Sequence, residues 1–290
     1  MGGGSWTTSA FCDYSTSKGR AVSSTGYLKS SYTAQDLYQS HGLQEELSPY
    51  NVMRECRDTD EHPNTIPVIL ALDVTGSMGG AAAECAKKLN EIMTSLYESV
   101  KDVEFMVMAI GDLAYDRAPI QISQFESDVR IAEHLDKVWF ERGGGGNQYE
   151  SYTAAWYMGA RHTDLDCWKR GKKGIIITMG DETLNPYLPE KQLSIVTGDK
   201  LQGNVETSEL YNEVIQKYDI YHLAVDDRET SYSNYSVGIA NSFGKYLDKD
   251  HLKIVGLNNI SKAIIDIVSN YGENANITAT DTTTASEISW

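Results

Sequence analysis

One stretch constrains this chain more than any other. Ile66-Pro-Val-Ile-Leu-Ala-Leu-Asp73 is an unbroken apolar run that ends in an acid. A strand with one wet face alternates apolar and polar residues; a strand apolar at every position is buried on both faces, as in a parallel sheet. Such a sheet needs helices on both sides and crossover connections between its strands.

The rest of the middle block has that form. The helical stretch 81–100 places Cys85, Leu89, Ile92, Met93, Leu96 and Val100 at i, i+3, i+4, i+7 spacing. Further strands are predicted over 103–110, 175–178, 220–225 and 252–257. Helices are predicted over 127–138, 149–162, 208–218, 237–247 and 260–271, and a long loop holds Asn185-Pro186. Strands alternating with helices imply an α/β fold: a doubly wound, mostly parallel central sheet with helices on both faces. Before it, residues 1–63 read as an extended arm with one short helix over 33–43, and 272–290 as a flexible tail without a core pattern. Trp6, Phe11, Tyr14, Tyr27 and Tyr32 suggest that the arm packs across the domain.

The 290 residues carry 41 acidic against 25 basic side chains, a net charge of −16, and 64–270 hold 30 of the acids. That balance argues against a nucleic-acid ligand, which requires a basic surface. No stretch reaches the ~20 apolar residues of a membrane span. The N-terminus lacks the charged and apolar regions of a signal peptide. Cys12, Cys56, Cys85 and Cys167 show no metal-ligand or CxxC spacing. The expectation is therefore a cytoplasmic protein with reduced thiols, no membrane and no nucleic acid. Two features take plain readings: Cys56 to His62 as an exposed linker, and the basic cluster Lys169-Arg170-Gly-Lys172-Lys173 as a solvated turn.

In an open α/β sheet, ligands sit beyond the carboxyl ends of the strands. The first strand ends Asp73-Val-Thr75-Gly-Ser77. In extended chain, i, i+2 and i+4 point the same way, so a carboxylate and two hydroxyls converge, a set that suits a hard cation. The competing reading is a Ser/Thr/Asp cap on the next helix. Other strand ends carry Asp112 and Asp116, then Asp181 and Glu182. A glycine run, 143–146, leads to Asn147 and Glu150 just before a helix.

Asp73-Val-Thr75-Gly-Ser77 resembles the DxSxS motif of the von Willebrand factor type A (VWA) domain, the first part of its metal-ion-dependent adhesion site (MIDAS). The resemblance spans about 64–271 and extends to the order of elements. The stretch from Ile110-Gly-Asp-Leu to Gly144-Gly-Gly-Asn147-Gln-Tyr-Glu150 is similar to intracellular members with a GGGDxPE loop. It implies a Rossmann-like VWA fold and Mg²⁺ (or Mn²⁺/Ca²⁺) held directly by Thr75 and Ser77. It further implies Asp73 and Asp181 acting largely through water, and Asn147 in the place of the second-motif Thr or Asp. Asp112, Asp116, Glu150 and Glu182 stand as outer-shell or alternative ligands. Thr178-Met-Gly-Asp181 departs from the usual strand-Asp-Gly order.

The implied function is a non-enzymatic, cation-dependent module that binds an acidic side chain of a protein partner. Two alternatives are a metal-dependent hydrolase or phosphotransfer enzyme and a scaffold with a degenerate metal site. Against the enzyme, Asp73-Val-Thr75 is not Asp-x-Asp, and there is no GxxxxGK[ST], GxSxG or HExxH. Nothing in the sequence states an oligomeric form.

Overall fold

The apolar run lies in the interior of a six-stranded sheet, covered on both faces. In the computed structural model, which describes residues 4–141, 149–226 and 238–281, the strands follow in chain order. They are β1 (Arg54–Cys56), β2 (Ile66–Asp73), β3 (Val103–Ile110), β4 (Ile120–Glu126), β5 (Tyr149–Glu150) and β6 (Thr163–Leu165). Then come β7 (Gly174–Gly180), β8 (Thr183–Leu184), β9 (Tyr187–Leu188), β10 (Val205–Glu206), β11 (Tyr218–Val225) and β12 (Leu252–Val255). The helices are α1 (Thr8–Ser17), α2 (Ala34–Leu37), α3 (Gly79–Ser99), α4 (Arg130–Lys137), α5 (Thr153–Arg161), α6 (Glu190–Thr197), α7 (Thr207–Val214), α8 (Gly238–Phe243) and α9 (Ile260–Asp281).

The central sheet has the order β12-β11-β7-β2-β3-β4. All neighbours are parallel except β4, which runs antiparallel to β3 at the edge. The chain builds from β2 outwards to β3 and β4, then returns to the other side of β2 for β7, β11 and β12. The strand order therefore reverses between β2 and β7, which opens a crevice at their carboxyl ends. Leu72 pairs with Met179, so Asp73 and the Gly180–Asp181 end lie side by side.

The period of two along β2 feeds two cores. Val68, Leu70 and Leu72 join the apolar cluster under α3, α4 and α9, whereas Ile69 and Ala71 join the cluster under α5, α7 and α8. This is the doubly wound α/β architecture that the apolar run implies.

The arm belongs to the first of these cores. Trp6, Phe11, Leu28, Leu37 and Tyr38 are buried with the residues of α3. Asn90 in mid-helix receives the Trp6 indole N–H at 3.0 Å and donates to the Thr25 carbonyl at 3.1 Å. Gly26, at φ +79°, has no room for a Cβ against the Asn90 amide. Tyr27 instead stays half exposed, with Lys88 over its ring.

Several local expectations change. The arm contains α1, whose start Thr7 caps by accepting the Ala10 N–H at 3.2 Å. The helix expected over 33–43 is the single turn α2, which Asp36 closes by accepting from both the Thr33 N–H and its hydroxyl. Ile120-Gln-Ile-Ser-Gln-Phe forms β4, and Tyr149–Glu150 pairs with β8 rather than opening a helix. The loop expected around Asn185-Pro186 holds β8, β9 and α6. The backbone of α9 runs on to Asp281, past the residue at which the tail is read to begin.

The linker and the basic turn prove to be one structure. Arg170 pairs with Asp58, Arg57 with Asp164 and Asp166, and Lys169 with Asp166. Cys56 and His62 are buried, and β1 pairs with β6. These ion pairs bolt the strand that precedes β2 onto the chain that precedes β7. All four cysteines are free.

The position of Phe11 in the core yields a first prediction. Phe11→Ala is expected to cost about 3 kcal/mol of unfolding free energy, read by urea denaturation. A loss under about 1 kcal/mol would show that the arm only decorates the domain.

Candidate functional site

The crevice between β2 and β7 gathers four of the residues singled out from sequence. Asp73, the last residue of β2, is only 1% exposed. Its Oδ1 accepts from the Thr75 N–H at 2.8 Å and the Thr75 hydroxyl at 2.6 Å. Ser77, exposed at the mouth, donates its hydroxyl to Asp181 Oδ1 at 3.1 Å. Asp181 directly follows β7, so this bond bridges the two strand ends on either side of the reversal.

The helix-cap reading of Thr75 and Ser77 does not describe these contacts. Neither the short turn Gly76–Met78 nor α3 has a side-chain cap. Both hydroxyls point their protons at carboxylates instead. A hydroxyl has one proton and two lone pairs, so each keeps lone pairs for another ligand.

The acids expected around the site divide by role. Asp112, buried after β3, accepts the Ala114 N–H on Oδ1, and its Oδ2 has no partner. Asp116 accepts the Asp112 N–H at 2.7 Å, which shapes the turn. Glu150, in β5, is 5% exposed and its Oε2 is likewise without a partner. The Glu182 backbone N–H donates to the Tyr152 hydroxyl at 3.2 Å. Asn147 lies outside the described residues.

Electrostatics follow from this burial. Loss of solvent pushes the Asp73 carboxyl up to about 7, against the pull of its Thr75 and Tyr152 hydrogen bonds. Loss of solvent also pushes Glu150 up, to about 9, and the like charges of Asp73, Asp112, Asp116 and Glu182 add to the shift. Burial raises Asp116, Asp181 and Glu182 as well. The site is thus a set of carboxylates held away from water with mainly one another as charged neighbours.

That donor set fits a hard divalent cation. It combines hydroxyl lone pairs, buried carboxylates that repel one another and two orphaned carboxylate oxygens. Among the described residues no three His, Cys, Asp or Glu side chains form a group that could hold a metal. An ion here would therefore depend on the hydroxyls of Thr75 and Ser77.

Tyr152 is the residue that motif reading misses. It precedes α5, is fully buried, and donates its hydroxyl to Asp73 Oδ2 at 2.7 Å. Gly180 makes room for it: a Cβ there would lie 1.9 Å from the Tyr152 oxygen. Asn185 fixes the same helix start by accepting the Thr153 N–H at 3.1 Å and donating to the Thr153 hydroxyl at 2.6 Å. No motif marks these contacts, because they join residues 32 to 79 positions apart.

No family model matches the sequence, and no curated protein matches it. Among solved structures it is similar to the pilus adhesin SpaC from Lactobacillus rhamnosus GG in its open conformation, at 11% identity and a TM-score of 0.49. That likeness covers 78% of this chain and 31% of the adhesin. It is also similar to the vWF domain of the type V pili tip protein Mfa5 from Porphyromonas gingivalis (12% identity, TM-score 0.41, 78% of this chain, 98% of that domain). A third is the SpRpn10 VWA domain, at 10% identity and a TM-score of 0.39, with 66% and 87% covered. The chain thus spans about a third of the adhesin's length. The architecture follows from strand order and register, not from these likenesses. No helix among the described residues is long and apolar enough to cross a membrane.

The raised carboxyls predict the pH response of the cation-free protein. Asp73 and Glu150 keep protons when folded that they release when unfolded, near pH 4. Stability therefore falls as pH rises from about 4 towards about 9. Thermal melts in EDTA should show this slope, and Glu150→Gln should flatten it above pH 7. An unchanged slope in that variant removes Glu150 from the account.

Proposed function

We propose that this chain is a cation-dependent protein-interaction module. It would hold Mg²⁺ or Mn²⁺ through the hydroxyls of Thr75 and Ser77, with Asp73 and Asp181 behind them, and bind an acidic side chain of a protein partner. Asn147 and Glu150 are the candidates for a further ligand. One observation carries the reading: the Ser77–Asp181 bond joins the turn that follows β2, where Thr75 is bonded to the buried Asp73, to the end of β7. This assembles the residues of the DxSxS-like motif with a carboxylate 104 positions away.

The charge logic favours binding over turnover. Neutral hydroxyls compensate a cation poorly, so it stays attractive to an outside oxygen. When bound, the cation supplies a Lewis-acidic position for a partner's carboxylate. The chain's own residues orient it: Asp73 and Asp181 draw the hydroxyl protons away, so that lone pairs face the crevice.

The test is calorimetric titration with MgCl₂ and MnCl₂. Thr75→Ala/Ser77→Ala is expected to weaken binding at least tenfold, with the fold retained in EDTA by circular dichroism at a somewhat lower melting temperature, since Asp73 loses one of its donors. Affinity equal to the native protein's in that variant sinks the site assignment. Capture of a partner should require Mg²⁺ and fail both in EDTA and with Asp73→Ala. Retention in EDTA favours a scaffold whose metal site is degenerate.

A further inference from the structure

Tyr152 stands between two strand ends and makes a bond to each. Its hydroxyl gives its proton to Asp73 Oδ2, at the end of β2, at 2.7 Å. Its oxygen accepts the Glu182 N–H, just beyond β7, at 3.2 Å. The ring is fully buried, edge-on to His222 at 5.1 Å and tilted against Phe243 at 5.8 Å. A side chain so enclosed has no second position to adopt without displacing core, so the phenol is a fixed point.

The Glu182 N–H belongs to the peptide group that joins Asp181 to Glu182. That group is planar and includes the Asp181 Cα, so a bond on its N–H also limits where the Asp181 side chain leaves the backbone. Asp181 and Glu182 are the two residues between β7 and β8. Before them, Gly180 pairs with Ala224 of β11; after them, Thr183 and Leu184 pair with Tyr149 and Glu150. The phenol supplies an anchor within that gap. The Ser77–Asp181 bond lies at the exposed mouth, where water competes for both partners. We propose that Tyr152 is a positioning residue for Asp181: by holding the Asp181–Glu182 peptide it sets that carboxylate against Ser77, so that both strand ends face one cation. The inference rests on the cation-binding reading above.

Tyr152→Phe keeps the ring and removes both bonds. Asp73 loses a donor in the same change, so a double-mutant cycle with Asp181→Ala is needed to show through which acid the phenol acts. Titration with MnCl₂ of the native protein, each single variant and the double variant gives four affinities. Tyr152→Phe is expected to weaken binding roughly tenfold when Asp181 is present and less than about twofold once it is gone. A tyrosine with a merely structural role, or one acting through Asp73, would cost the same factor in both backgrounds, and that result overturns the proposal. An unchanged affinity in Tyr152→Phe overturns it too. A structure of the native protein with Mn²⁺ decides the matter if a variant fails to fold or binds too weakly to titrate. The Glu182 N–H on the phenol, with Asp181 on the ion or on one of its waters, supports the proposal; any other arrangement overturns it. Native protein that binds neither Mg²⁺ nor Mn²⁺ sinks the module reading and this inference together, whereas equal factors sink this inference alone.

Discussion

The rest of the structure is arranged around a carboxylate in a place where carboxylates do not belong. Asp73 ends a strand whose burial on both faces supplies much of the core, and the helices that bury the strand also desolvate its last residue. A buried charge is tolerated only when donors or a counter-ion replace its water. Here three donors do so, from two neighbouring segments, and the chain supplies no cation of its own among them. Gly180 must lack a Cβ so that one donor can reach, and Asn185 must hold the start of α5 so that it stays.

The legible parts of the fold are those in which one chain segment states its own environment. Continuous apolar runs identify β2, β3, β7 and β11, since a strand covered on both faces needs no polar positions. The helical period of 85–100 identifies α3. β4 was equally written in the sequence: Ile120, Ile122 and Phe125 turn inwards, but a bulge against β3 shifts the register and breaks the simple alternation. The arm was not legible in detail. α1 has few apolar residues, and its Phe11 is buried because α3 lies beneath it, a fact that no local pattern contains. The ion pairs that join 54–58 to 164–170 are hidden for the same reason: each half alone reads as solvated charge.

The same division runs through the crevice. Asp73, Thr75 and Ser77 lie at i, i+2 and i+4 of one segment, and Asp181 terminates a recognisable strand, so these four could be assigned from spacing and strand ends. Their joining is visible only in three dimensions, in the bond from Ser77 to Asp181. Tyr152 and Gly180 carry no signature, because a tyrosine before a helix and a glycine at a strand end are ordinary. Their meaning lies in the 1.9 Å that separates a hypothetical Cβ from a phenol oxygen.

The surplus of acids then acquires a physical role on the proposed function. Burial and four neighbouring carboxyls hold a proton on Glu150 in the cation-free protein, and a divalent ion would displace that proton. Yet the groups nearest such an ion would be neutral hydroxyls, with the acids behind them. Attraction from the acids would draw the ion in, and the neutral inner ring would leave its charge unquenched at the open face. A partner's carboxylate would complete that face; without the ion, the same carboxylate would meet hydroxyls and acids and no positive charge. On that reading the metal would be a precondition for the partner, because the acids that recruit the one would repel the other.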